Sequence, residues 1–75
     1  MHLEAKIIRM LWTLVETSNP YTLLKLSDHE LIQKLLDEVE QLSFLSSDES
    51  KILSRYIGSR TVLIRDLADS KKALQ

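Results

Sequence analysis

The sequence predicts an all-α fold: a small three-helix domain in which the second and third helices form an antiparallel hairpin. Three observations lead there. Two capping boxes, Ser27-Asp28-His29-Glu30 and Ser46-Ser47-Asp48-Glu49, each stand directly before an apolar periodic run. In such a box the serine hydroxyl accepts the N–H three residues on, and the glutamate carboxylate accepts the N–H of the serine. One glycine and one proline among 75 residues leave too few turn formers for a β fold. Apolar residues recur at spacings of three and four, the rhythm of one helix face.

The first helix is expected over Leu3 to Thr17, where Leu3, Ile7, Leu11, Leu14 and Val15 share a face. Ile8, Met10 and Trp12 widen that face enough for more than one neighbour. Ser18-Asn19-Pro20 ends it, because a residue before proline avoids the α region. Tyr21 to Leu26 reads equally as a connector or as a further helical turn. The second helix runs from Asp28 to Leu42 with an unbroken stripe of Leu31, Ile32, Leu35, Leu36, Val39 and Leu42. Leu26 and Leu31 occupy the positions of a hydrophobic staple. Ser43-Phe44-Leu45-Ser46 forms the turn, and the third helix spans 47–69. Ile52, Leu53, Tyr56 and Ile57 face inward, and the pattern resumes with Val62, Leu63, Ile64, Leu67 and Ala68. Either one helix continues through Gly58, at a cost of about 1 kcal/mol relative to alanine, or the helix breaks at 58–59. Ser70 to Gln75 reads as a frayed tail.

A chain of 75 residues forms a single domain, yet 44% of its residues are hydrophobic. A core this small is marginal, so the surplus implies dense packing or an apolar face covered by a partner. A homodimer or an obligate complex is therefore expected, with Ile8, Leu11, Trp12 and Val15 as the self-association face. The absence of cysteine excludes disulfides and thiolate zinc sites and favours the cytoplasm. No run of 18 apolar residues is present, and Glu4 and Arg9 interrupt what a signal peptide would need. No membrane partner is expected.

Catalysis is not expected, nor is a cofactor or a metal. His2 and His29 are the only histidines, and neither has further ligands at metal-site spacing. Asp37, Glu38 and Glu40 form a solvent face, and one glycine cannot build a phosphate loop. Charge is segregated along the chain. Residues 1–50 hold four basic and nine acidic side chains, and residues 51–75 hold six basic and two acidic. The acidic second helix and the basic third can complement each other, or the basic stripe can meet an acidic partner.

Two resemblances bear on function. Leu53 to Leu67 resembles the core of the bacterial helix-turn-helix family. Ser54 and Gly58 match its small residue and turn glycine, and Ile64 matches the apolar position six residues on, while Leu53, Ile57 and Leu67 fit other buried positions. Ser59 departs, standing where the family carries an apolar residue. The resemblance implies a recognition helix after Gly58, with Arg60, Thr61 and Arg65 toward DNA. Lys25-Leu26-Ser27-Asp28, then Leu31-Ile32 and a following helix with basic residues, is similar to the small sporulation kinase inhibitor family, helical hairpins that dock on a histidine kinase. That likeness implies the class of a small helical regulator and no particular residue. The leading expectation is a non-enzymatic regulator or adaptor that binds another protein through Arg55, Tyr56, Arg60 and Arg65. The alternative is a DNA-binding regulator that uses residues 53–67.

Overall fold

Local rules set the helix boundaries seen in the computed structural model, which describes residues 3–73. The five elements are α1 (Ala5–Thr17), α2 (Pro20–Lys25), α3 (Asp28–Leu42), α4 (Ser47–Gly58) and α5 (Thr61–Ala73). α1 stops where the sequence places its end. Ser18 caps it by turning both its N–H and its Oγ–H onto the Leu14 carbonyl, at 2.9 and 2.6 Å. Asn19 Oδ1 then accepts the Tyr21 N–H at 2.9 Å with Pro20 in the first turn. A cap followed by proline favours a helix start, and this decides the open segment 21–26 for the short helix α2.

Both capping boxes form. Ser27 Oγ accepts from Glu30 N at 3.2 Å, and Glu30 Oε1 accepts from Ser27 N at 3.0 Å. Ser46 and Glu49 repeat the geometry at the same distances.

The expected third helix takes the broken alternative and is two, so five helices and not three stand among the described residues. The break follows from the Gly58–Arg60 backbone. Ser59 N–H is shared between the Arg55 and Tyr56 carbonyls, Ser59 Oγ–H takes the Tyr56 carbonyl at 2.7 Å, and Arg60 N–H bonds Ile57 O at 2.9 Å. These tighter bonds end the α-helical ladder. Arg60 O then accepts Ile64 N–H at 2.9 Å and starts α5. The buried residues Leu53, Ile57, Thr61, Ile64 and Ala68 keep a three-to-four spacing across the break, which is why the pattern resembles a single helix. α5 also extends to Ala73, beyond the expected frayed tail at Ser70, while Leu74, Gln75 and the histidine at position 2 lie outside the described residues.

α3 is the centre of the packing. It contacts α1, α4 and α5, and α5 in turn lies chiefly on α2. Leu11, Leu23, Leu31, Leu35, Val39, Leu53, Ile57 and Ile64 are fully enclosed. Two small residues of α4 also lie against α3. A Cβ at Gly58 would lie 3.4 Å from Ile32 Cδ1, and Ser50 Oγ–H donates to Glu40 Oε2 at 2.9 Å. Ser54 stands midway between them in the same register.

The accessible area is 4964 Å². A folded monomer of this mass exposes about 4,700 Å². No helix among the described residues is long and apolar enough to cross a membrane.

Candidate interaction surface

The side chains that carry distinctive chemistry gather where α1, α4 and the start of α5 meet. Trp12 of α1 and Tyr56 of α4 are both half-buried against the core. Trp12 Nε1–H donates to Tyr56 Oη at 3.0 Å, and the rings meet edge to face, 6.3 Å apart at 79°. Arg60 lays its guanidinium over the other part of this pair, 5.0 Å from the Tyr56 centroid. Its Nη1 also donates to Ser59 Oγ at 3.2 Å. Trp12, Tyr56 and Arg60 thus form a continuous stack running from the core to the surface. Holding Arg60 in this way reduces the side-chain entropy lost when it meets a partner.

Arg55 is exposed beside Tyr56 on the outer face of α4, with exposed Lys51 one turn earlier. Among the described residues the ion pairs are Lys34–Glu38 and Arg65–Asp28. Lys51, Arg55 and Arg60 are therefore cations without a carboxylate partner there.

Arg65 has a different role. Its Nη2 donates to the Leu26 carbonyl at 2.9 Å and to Asp28 Oδ1 at 2.7 Å. It ties α5 to the α2–α3 junction. Of the four residues expected to bind a partner, the structure brings Tyr56 and Arg60 together, leaves Arg55 exposed, and uses Arg65 internally. Leu11 and Val15 of the expected self-association face are core residues, and Ile8 and Trp12 are half-buried against the core.

The positions that match the helix-turn-helix core have the following settings. Gly58 has no positive φ, so it is not a left-handed turn glycine. Thr61 is buried, and Arg65 is already engaged. Gly58 instead lies against Ile32 of α3.

The sequence reading missed the outer face of α5. It placed Val62, Leu63 and Leu67 with the core, yet they are 73%, 46% and 45% exposed. Once the helix breaks at Gly58, Ile64 and Ala68 define the inner face and these three fall outside it. Phe44 and Leu42 are likewise exposed at the α3–α4 turn, and Tyr21 lies exposed beneath Lys72, 5.6 Å from its ring. Lys71 Nζ donates to the carbonyls of Glu16 and Ser18, tying the end of α5 to the end of α1.

His29 is exposed in the first turn of α3. Glu30 is held below the ordinary carboxylate pKa, first by the Ser27 N–H bond, then by the Ser27 hydroxyl, with a smaller contribution from His29. It is a capping carboxylate at a helix start. Among the described residues there is no cavity and no group of three or more His, Cys, Asp or Glu residues able to hold a metal. No family model, curated protein or solved structure matches the chain.

Proposed function

We propose that this protein is a non-enzymatic regulator or adaptor that binds another protein through Arg55, Tyr56 and Arg60. One observation carries the reading: Arg60 is stacked on Tyr56 and, with neighbouring Arg55, has no carboxylate partner among the described residues. An aromatic ring with an arginine stacked on it is the composition of an interface anchor. The alternative use of Arg55, to offset the negative end of the α4 dipole, does not account for the Trp12–Tyr56–Arg60 stack.

The proposal places α3 and α4 as an antiparallel hairpin. Gly58 near Ile32 and Ser50 bonded to Glu40 support this, because the end of α4 meets the start of α3 and the reverse. A cytoplasmic setting is part of the reading and rests on the lack of cysteine. A second copy was the other partner expected. Size-exclusion chromatography of the isolated chain separates that outcome from a different protein as the partner.

The test is affinity capture from host lysate with the tagged chain and with an Arg55→Glu/Arg60→Glu variant, each with and without nuclease. A nuclease-insensitive protein retained by the parent and lost by the variant supports the reading. Nucleic acid that co-purifies, with all captured protein lost on nuclease treatment, overturns it in favour of DNA binding.

A further inference from the structure

We infer that the Gly58–Arg60 segment is a hinge through which α4 and α5 fuse into one helix, and that two copies of the chain then exchange α5. The backbone of the break is already right-handed. Gly58, Ser59 and Arg60 have no positive φ. Ser59 sits at φ −79° and ψ −8°, a rotation of about 35° in ψ from an α-helix. The N–H groups of Thr61, Val62 and Leu63 have no backbone acceptor among the described residues. In a continuous helix they would meet the carbonyls of Ile57, Gly58 and Ser59. Arg60 already lies over the ring of Tyr56, four residues earlier, as neighbours on one helix face do. A straight helix also keeps the buried residues Leu53, Ile57, Thr61, Ile64 and Ala68 on one face.

What holds α5 in place lies on the far side of this hinge. α5 packs first on α2, then on α1 and α3, and α4 is not among the helices it packs along. Its polar ties also reach away from α4, from Arg65 to the Leu26 carbonyl and Asp28, and from Lys71 to the carbonyls of Glu16 and Ser18. α1, α2 and α3 therefore form the whole seat of α5, and a second copy carries an identical seat. When the helix straightens, α5 leaves its own seat, and Ile64 and Ala68 lose their cover. Reciprocal exchange restores those contacts between the two copies and adds the backbone bonds of the straightened helix. The product is a closed two-fold dimer. It is opposed by the translational and rotational freedom lost on association, so it forms as concentration rises. The Tyr56–Arg60 stack is local to the straightened segment and stays in both forms, so the exchange does not depend on the protein-binding reading above.

The test refolds the full chain from urea at micromolar and at millimolar concentration and separates the products by size-exclusion chromatography. A dimer is expected at the higher concentration. Equal amounts of isotopically labelled and unlabelled chain are then refolded together, and isotope-filtered cross-peaks are recorded on that dimer. Cross-peaks between α2 and α5 that join a labelled copy to an unlabelled one are the expected result. Two variants address the hinge. Ser59→Ala and Ser59→Gly both remove the hydroxyl bond to the Tyr56 carbonyl, and alanine is by far the better helix former. The dimer dissociation constant should therefore be lower in Ser59→Ala than in Ser59→Gly by about tenfold. A parent chain that stays monomeric at both concentrations overturns the inference. So does a dimer whose α2–α5 cross-peaks stay within one copy, since that is association of closed monomers. Equal dissociation constants in the two folded variants refute the straightened hinge. The cross-peaks of the parent dimer decide the exchange independently of how well either variant folds.

Discussion

α3 and α5 have nearly equal lengths and use their apolar residues in opposite ways. α3 has a complete capping box, encloses Leu31, Leu35 and Val39, and packs Ile32 and Leu36 against the core. α5 starts from a tight turn, buries Thr61, Ile64 and Ala68, and leaves Val62, Leu63 and Leu67 in solvent. Its inner face is made of smaller or more polar residues than that of α3. The position of α5 owes much to polar ties, from Arg65 to the Leu26 carbonyl and Asp28, and from Lys71 to the end of α1. α3 is thus the scaffold. α5 packs its inner face on α2, is tied at its rims, and has apolar surface to spare.

The largest expected effect tests that contrast directly. Leu35→Ala removes a fully enclosed side chain from the centre of α3 and should cost about 2–5 kcal/mol. A chain of this length has roughly 4–11 kcal/mol of stability in all, so the variant should be close to unfolding at room temperature. Leu67→Ala, at a half-exposed position, should cost less than about 1 kcal/mol. Urea denaturation followed by circular dichroism compares the two. Equal losses would mean that Leu67 belongs to the core and that α5 has no spare face.

The cap of α3 comes next. Ser27→Ala removes the oxygen that accepts the Glu30 N–H and should destabilise by about 1 kcal/mol. The same change at Ser46, with matching geometry, should have a similar effect. A midpoint unchanged by Ser27→Ala would show that packing alone fixes the start of α3.

Gly58→Ala is expected to have a smaller effect of opposite sign. The backbone at Gly58 does not occupy the left-handed region, and the new Cβ would meet Ile32 Cδ1 at an ordinary contact distance of 3.4 Å. Alanine should therefore stabilise the chain by about 0.5 kcal/mol, through helix propensity and a less flexible unfolded state. A turn glycine of the helix-turn-helix kind would instead lose stability on this change. Thermal melting of the variant separates the two, and a clear destabilisation would revive the recognition-helix reading of α5.

These positions also mark how far the sequence could be read. The C-terminal end of α1 and the starts of α3 and α4 were legible because each depends on local chemistry: proline after Asn19, and serine with a glutamate three residues on. The core of α3 was legible from its stripe as far as Val39, while Leu42 at its end is exposed. The α4–α5 break was visible only as an alternative, since Leu53, Ile57, Thr61, Ile64 and Ala68 keep their spacing through it. Hydrophobicity alone then assigned Leu63 and Leu67 to the core, because it does not show which side of α5 has a neighbour. Tyr56 and Arg60 were picked out by residue type. Their stacking, and the diversion of Arg65 to Asp28, depend on contacts across long stretches of sequence.

The finest distinction between the two helices is electrostatic. The α3 cap contains an ionised group that α5 lacks at its start. Glu30 accepts the Ser27 N–H through Oε1, and this bond holds its folded-state pKa below the ordinary carboxylate value. A group whose pKa falls on folding contributes its full stabilisation above the unfolded pKa and loses it as the pH drops through the folded value. The contribution should therefore be constant near neutrality and decline between about pH 5 and about pH 3. Glu30→Gln leaves an amide oxygen able to accept from Ser27 but nothing to titrate. The stability difference between parent and variant, measured by urea denaturation across that range, should shrink as the pH falls. A difference that stays flat would mean that the carboxylate is held no more tightly in the folded chain than in the unfolded one, and that Ser27 alone caps α3.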